Sequence, residues 1–476
     1  MDIWSKDRTM YQSVLGMVLD DARPEARYFL TRFLQVYGPD EGIHADDRTL
    51  AQELGLPEYE VSTATAYLEK RGLLTIKRRV DDKGWRYNIY ECKPVPELTS
   101  KELPVRHEAI LEEILKPDTE QTLNARRHPI SLTDRWLMAV LLAHADLGGA
   151  VRTLSIPRLS ALTGIRERRL LIKLEALKRK EYIRSTVPDI KHHKIFGHSN
   201  GAIFLNLRHA AFRDCVNPGA TLVYSPRDKT SYVEATEAHR IIELAKLIEE
   251  AQETNQRATI KKLTENMKTA VDVLPPLESL EYIHEHFCQD TGSQAEAYLQ
   301  MKLEEYASHL LSKYWQLLSN PMPLNGHDPN RKALQDKELS VKIAHDIGVL
   351  DQALNNQRIR HVGEDHQLED FIYEVALHIS RKVCRLMKSF EKIEFPAMDH
   401  LILPQSMHGK EKRAVALVST FPYKDKEDIG CIVFQEEAGS FIQKVTIDHG
   451  AESSINRPLQ YANGLLTDTR KKVMAI

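Results

Sequence analysis

The sequence predicts a mainly helical chain of the α+β class with small β-sheets. Three observations carry this prediction. A plan of short helix, tight turn, second helix and hairpin occurs twice in the first half of the 476 residues. Residues 234–394 place apolar side chains at helical spacing, and from Phe395 onward the pattern changes to short apolar runs of period two. We therefore predict two hairpin-bearing helical modules, a helical bundle, and a small C-terminal antiparallel sheet followed by a last helix near 458–473.

One copy of the plan lies in residues 155–207. Ser155 can cap a short helix, and Gly164 permits the positive φ that ends it. A second helix is predicted from about Arg166 to Lys180. Its expected buried stripe consists of Leu170, Leu171, Leu174 and Leu177. Strand-like runs at 182–187 and 202–207 then form what we call the second hairpin, with a polar tip at 189–200.

Positive charge is concentrated on this second copy. The helix window 166–180 has a net charge of +5, and the hairpin tip adds lysines and histidines. A basic helix after a tight turn, followed by a basic hairpin, is typical of phosphate contact and entry into a DNA groove. The alternative is a solvated helix face on a protein-binding module. The residues predicted to contact DNA here are Arg166, Arg168, Arg169 and Lys173 on the helix, Lys191 and Lys194 on the tip, and the preceding Arg126 and Arg127.

The other copy spans Asp46–Lys93. Asp47 is the expected helix cap, Gly55 makes the turn, and the helix window 57–71 has a net charge of −1. Glu58 and Glu60 lie at the end that would meet DNA, where carboxylates repel phosphate. Base contact by Tyr59 and Thr63 remains open on that helix. The hairpin at 74–92, which we call the first hairpin, is basic, and its predicted phosphate contacts are Lys77, Arg78, Arg79 and Arg86. Whether this copy contacts DNA or protein stays open.

Differences in net charge and a proline-containing linker divide the chain into predicted domains. Residues 126–230 have a net charge of +11, against −6 for residues 1–125 and −8 for residues 231–476. A concentrated basic field favours a polyanionic partner, and acidic flanks favour solubility. The predicted domains are 1–93 (helices and first module), 94–130 (a Pro-punctuated linker with one helix), 131–230 (second, basic module), 231–394 (helical domain) and 395–476 (sheet and terminal helix).

The helical domain is predicted to contain long helices at about 237–272, 277–288, 293–319, 335–356 and 366–393. Their spacing is not a strict heptad, so a packed bundle is preferred to a free coiled coil. Their apolar stripes need a facing surface, and a small sheet leaves an edge open for pairing. We therefore expect residues 231–476 to drive self-association or to bind a partner protein. A self-contained helical domain is the alternative.

Motifs of known chemistry are lacking. The sequence contains no Walker-type phosphate loop, no Gly-x-Gly-x-x-Gly, no His-Glu-x-x-His and no Gly-x-Ser-x-Gly. His284 and His286 point to different faces of a helix, which is poor for joint metal ligation. The His and acidic groups at 361–366 are interpreted as solvated helix capping, with a metal site as the alternative. The five cysteines are scattered, which favours reduced thiols, and no run approaches a transmembrane span. We predict a cytoplasmic protein that is not an enzyme and has no cofactor, no metal and no membrane partner.

Residues 24–93 and 131–210 together resemble the winged helix-turn-helix superfamily. Two such modules in tandem are similar to the layout of plasmid replication initiators and of several transcriptional regulators. The resemblance implies that the second module makes the stronger major-groove contact. The extension from 230 to 476 has no counterpart in the compact initiators.

These observations predict a protein that binds double-stranded DNA, either a transcriptional regulator or a replication initiator of a bacterial or mobile-element kind. A basic helix would enter the major groove, the hairpins would contact flanking phosphates, and the C-terminal half would assemble the protein. The alternative is a kleisin-like or scaffold subunit of a chromosome-organising or defence complex, whose winged helices contact protein.

Overall fold

The computed structural model confirms a mainly helical α+β chain with two small three-stranded antiparallel sheets. It describes residues 10–39, 42–80, 82, 86–92, 105–117, 130–146, 148–193, 196–207, 209–212, 221–225, 236–271, 280, 283–284, 287, 292–319, 333–347, 362–388, 400–404, 414–419, 431–437 and 440–447. Two compact units are present. The described residues up to Arg184 and those from Phe204 to Phe212 form the first unit, whereas Ser185–Ile203 and the described residues from 221 to 447 form the second.

The first module follows a short helix, α1 (Met10–Gly16). Its elements are α2 (Pro24–Tyr37), β1 (Ile43–Ala45), α3 (Asp47–Leu54), α4 (Glu58–Lys70), β2 (Leu74–Val80) and β3 (Arg86–Cys92). The cap of α3 is Asp46 and not the predicted Asp47, because the Asp46 carboxylate accepts a 2.7 Å hydrogen bond from the Thr49 amide. Gly55 ends α3 at φ 72°, as predicted. The strands pair antiparallel in the order β1-β3-β2.

The second module repeats this order of elements after a connecting helix, α5 (Glu108–Leu115). Its elements are α6 (Leu132–Ala143), β4 (Ala150–Val151), α7 (Ile156–Thr163), α8 (Glu167–Arg179), β5 (Ile183–Val187) and β8 (Ala202–Leu205). Ser131 caps α6, Ser155 caps α7, and Gly164 ends α7 at φ 70°. The sheet order β4-β8-β5 corresponds to β1-β3-β2. The two modules therefore share one topology.

Buried polar side chains fix the turn of the second module against the start of α2. The guanidinium of Arg27 donates to the carbonyl oxygens of Leu19, Ala22 and Leu162, with the bond to Leu162 at 2.7 Å. The indole of Trp136 donates to the Thr163 carbonyl at 3.1 Å. These donors satisfy carbonyls at the end of α7 that have no partner within the helix. The two modules are thus joined by hydrogen bonds at the turn that positions α8.

The second unit contains β6 (Ile190–His193), β7 (Gly197–Ser199) and β9 (Thr221–Ser225), and five helices of the described chain. These are α9 (Glu237–Glu253), α10 (Arg257–Val271), α11 (Gly292–Leu318), α12 (Lys337–Asp346) and α13 (Val362–Lys388). The predicted single helix over 237–272 is wrong, because the chain breaks at Asn255, which adopts φ 56°. Asparagine tolerates this left-handed conformation better than most residues. The long helix α11 packs against α9, α13 and the strand that begins at His400.

A five-stranded sheet completes the second unit. It contains β10 (His400–Leu403), β11 (Ala414–Ser419), β12 (Cys431–Glu437) and β13 (Ser440–Ile447), close to the predicted strands. The prediction of a purely antiparallel C-terminal sheet is wrong. The strand β9, from before the helices, lies between β11 and β12 and pairs parallel with β12. A long connection allows two strands to pair parallel, whereas the short turn of a hairpin joins only antiparallel strands. The predicted terminal helix lies outside the described residues.

Candidate nucleic-acid interface

The helix α8 presents its basic side chains to solvent. Leu170, Leu174 and Leu177 are buried, as predicted, and Arg166, Arg168 and Arg169 are exposed. Leu171 is a correction, because it lies outside the buried stripe and is exposed. Positions 170, 174 and 177 already complete one helical face, so position 171 turns away from the core. The first two turns of α8 therefore display arginines beside exposed aliphatic side chains.

Lys173 differs from the arginines. Its Nζ lies 2.7 Å from Oδ1 of Asp134 on α6, and the two side chains are only 15% and 10% exposed. The ammonium group is thus used inside the second module, where it ties α8 to the start of α6. Lys173 was predicted to contact DNA because it is a basic residue of this helix. In the structure its ammonium group forms an ion pair with the Asp134 carboxylate.

A groove of about 880 Å³ runs between α4 and α8 in the first unit. Tyr59, Thr63 and Tyr67 line it from α4, and Arg168, Arg169 and Ile172 line it from α8. Arg166, which precedes α8, also borders it. Five predicted DNA contacts from the two modules therefore meet at one concave surface. Turn geometry and the bonds of Arg27 hold the two walls in place.

The loop before α2 adds charges that sequence reasoning missed. Arg23 is exposed and borders the groove, as do Asp21 and Glu25. With Glu60 on α4, the groove carries four arginines and three carboxylates. The arginines come from α8 and the loop at 23, and the α8 wall has no carboxylate in the groove lining. The groove is thus basic along the α8 wall and of mixed charge elsewhere.

The α4 wall is built from polar groups in its first turns. Tyr59 is 70% exposed, and its hydroxyl donates to the Glu60 carboxylate at 2.8 Å. That hydrogen bond raises the pKa of Tyr59. Thr63 donates to the Tyr59 carbonyl at 2.8 Å. The Tyr59 ring is therefore exposed to solvent, and the hydrogen bond of its hydroxyl to Glu60 restrains its position. A planar group can reach the face of the ring.

The first hairpin keeps only part of its predicted charge available. Lys77 lies 2.5 Å from Glu91 across the strand pair, and Arg78 lies 3.8 Å from Glu69. Arg79 is exposed. Arg86 pairs with Val80 through the backbone, and its side chain lies outside the described atoms. Exposed ion pairs of this kind contribute only about 0–1 kcal/mol, so Lys77 and Arg78 are held weakly by their carboxylate partners.

The second hairpin carries a buried aromatic side chain at its tip. Its tip belongs to the second unit, where Phe196 is buried. The Phe196 ring lies 4.9 Å from that of Tyr298 and 5.9 Å from that of Phe287, between centroids. Leu299, Leu303 and Phe371 complete its surroundings. The tip is thus anchored on the helices of the second unit. The side chain of Lys191, and all of Lys194, Arg126 and Arg127, lie outside the described atoms.

One group of possible metal ligands occurs among the described residues, formed by His309, Asp336 and Glu338. The Nζ of Lys313 lies 3.0 Å from Asp336 and 3.1 Å from Glu338, so a cation is already present. Asp336 also accepts from the Leu339 amide at the start of α12. Burial acts to raise the pKa of Asp336, but hydrogen bonds from His309 and Lys313 outweigh it and hold that pKa at about 2. The group is a helix cap with its own counter-ion.

Comparison with protein family models and with curated proteins gives no match. Within the described part of the chain, no helix combines the length and the apolar character needed to cross a membrane.

Proposed function

We propose that the chain is a DNA-binding protein in which two winged helices act in tandem, as a transcriptional regulator or a replication initiator. The observation that carries this proposal is the groove between α4 and α8, where Arg166, Arg168 and Arg169 are exposed beside Tyr59 and Thr63. Each module has the helix order and three-stranded sheet that such folds use to present a recognition helix. On this proposal α4 and α8 are the two recognition helices.

Electrostatics supports the same assignment. The exposed arginines are clustered on one wall of the groove, in a basic region of an otherwise slightly acidic protein. Such a one-sided field attracts a polyanion and releases counter-ions when phosphates are bound. Arg23 adds a fourth arginine to the groove, in the loop that also carries Asp21 and Glu25. The groove therefore supplies the phosphate contacts, and the polar side chains of α4 supply contacts to bases.

Salt-dependent binding tests this proposal. In fluorescence anisotropy with a labelled DNA duplex, replacing Arg168 and Arg169 together by Ala is expected to weaken binding. Removal of two phosphate contacts lowers the slope of log K against log salt by about 2 in magnitude. The matched control is Arg179→Ala, which removes an exposed arginine from the far end of α8, outside the groove. Equal behaviour of the double variant and the control would remove α8 from the interface.

The second unit is proposed to assemble the protein. Residues 231–476 have a net charge of −8, which opposes DNA contact, and Val341 and Leu247 are exposed apolar side chains on its helices. Self-association would hold two copies at a fixed spacing on DNA. Light scattering of the full chain at micromolar concentration is expected to show a mass above 54.5 kDa. A monomer that also captures no partner protein contradicts this assignment.

One observation favours the alternative of a kleisin-like or scaffold subunit. Phe196 places the tip of the second hairpin among helices, so this hairpin makes a protein contact where a DNA-binding wing contacts phosphate. The salt series separates the two functions, since a scaffold subunit would show no arginine-dependent DNA affinity.

A further inference from the structure

Both recognition helices line the same groove, and this restricts what the groove can hold. Tyr59 and Thr63 on α4 border the same 880 Å³ space as Arg168, Arg169 and Ile172 on α8. The hydrogen bonds of Arg27 to Leu19, Ala22 and Leu162 fix the loop at residues 19–23 against the end of α7. The groove is therefore a preformed slot with a helix on each side.

A DNA duplex fits such a slot poorly. A major groove is about 12 Å wide and admits one α-helix, and successive half-sites lie about 34 Å apart. Helices that bound successive major grooves would not share the lining of one concave surface. The minor groove, about 6 Å wide, is too narrow for a helix of about 10–12 Å diameter. A duplex can thus engage one of the two helices deeply, but not both.

The chemistry of the slot suits one nucleic-acid strand. Strand-binding proteins combine a basic track for the backbone with aromatic faces on which bases stack. Arg23, Arg168 and Arg169 offer the track. Tyr59, which is 70% exposed, offers a face, and Ile172, which is 60% exposed, offers an apolar surface on the opposite wall.

We propose that the groove between α4 and α8 binds a single DNA strand, with phosphates on the arginines of α8 and the loop at Arg23 and an unstacked base on Tyr59. This inference rests on the proposed function, because it concerns the same groove, and it specifies the form of DNA bound there.

Anisotropy titrations with two probes test the inference. The probes are a fluorescein-labelled oligothymidylate and a mixed-sequence hairpin duplex of the same length. The full chain is expected to bind the single strand more tightly than the duplex. Tyr59→Ala is expected to weaken single-strand binding by about 5- to 150-fold, the range for loss of one base–aromatic stack, and to weaken duplex binding less, because the bases of a duplex are already stacked on one another. The matched control is Tyr59→Phe, which keeps the ring and is expected to keep the affinity.

The outcomes separate this inference from the proposed function. Because Tyr59 is exposed, its variants are expected to keep the unfolding temperature of the natural chain, and a circular dichroism melt checks this. Tighter duplex binding, or single-strand binding that is indifferent to Tyr59→Ala, overturns the inference and leaves the DNA-binding proposal standing. If neither the natural chain nor the variant that lacks Arg168 and Arg169 binds either probe, the inference and the proposed function are both overturned.

Discussion

Gly164→Ala is expected to destabilise the first unit by roughly 2–6 kcal/mol, the sum of a backbone and a packing contribution. Gly164 has φ 70°, where an L side chain costs about 1–3 kcal/mol. An added Cβ would also lie 2.3 Å from the Ala22 carbonyl oxygen and 3.0 Å from Nε of Arg27. Relief of that overlap displaces buried backbone, and overpacking of this kind costs about 1–3 kcal/mol more. Urea denaturation followed by tryptophan fluorescence measures the change.

Gly72→Ala is the matched control. Gly72 has φ 71°, but nothing lies within 4 Å of the position that an added Cβ would occupy. The two substitutions therefore share the backbone strain and differ in the overlap. Because Gly164 contacts the segment that leads into α2, its replacement is also expected to disturb the groove and lower DNA affinity. Equal losses of stability in the two variants would contradict the role of the Gly164 turn in joining the modules.

Phe196→Ala is expected to destabilise the second unit by about 3–5 kcal/mol, as is usual for loss of a buried phenylalanine. The ring is 6% exposed and packs on Tyr298 and Phe287. The surrounding cluster leaves only about 10 Å³ of space, less than a water molecule needs, so the loss creates a new cavity. Urea denaturation monitored by far-ultraviolet circular dichroism measures the change.

Phe196→Leu keeps most of the side-chain volume and is expected to lose less stability than Phe196→Ala. The pair also separates two views of the second hairpin. If the tip serves to pack on the helices of the second unit, Phe196→Ala lowers the free energy of unfolding. DNA affinity then changes only to the extent that the protein unfolds. If Phe196→Ala leaves stability unchanged and instead weakens DNA binding, the tip acts as a phosphate-contacting wing, as the sequence predicted for Lys191 and Lys194.

The sequence by itself determined the local elements. Ser155 caps its helix, and Gly55 and Gly164 make their turns, because these signals act over three or four residues of chain. The strand Ala414–Ser419 lies in the region after Phe395 where the sequence predicted a sheet, since a period-two run needs no distant partner to be recognised. Periodicity alone likewise identified Leu170, Leu174 and Leu177 as a buried face.

Only the tertiary structure decided which charges remain available and which surfaces meet. Lys173 and Arg168 are both basic residues of α8, and the sequence does not distinguish their roles. Lys173 forms an ion pair with Asp134 because α6 packs beside it. Arg23 joins the groove through the placement of α2, and Phe196 is buried by helices that follow it by about a hundred residues. Such contacts depend on which elements pack together, and that is set by the summed burial of many side chains and not by any local pattern.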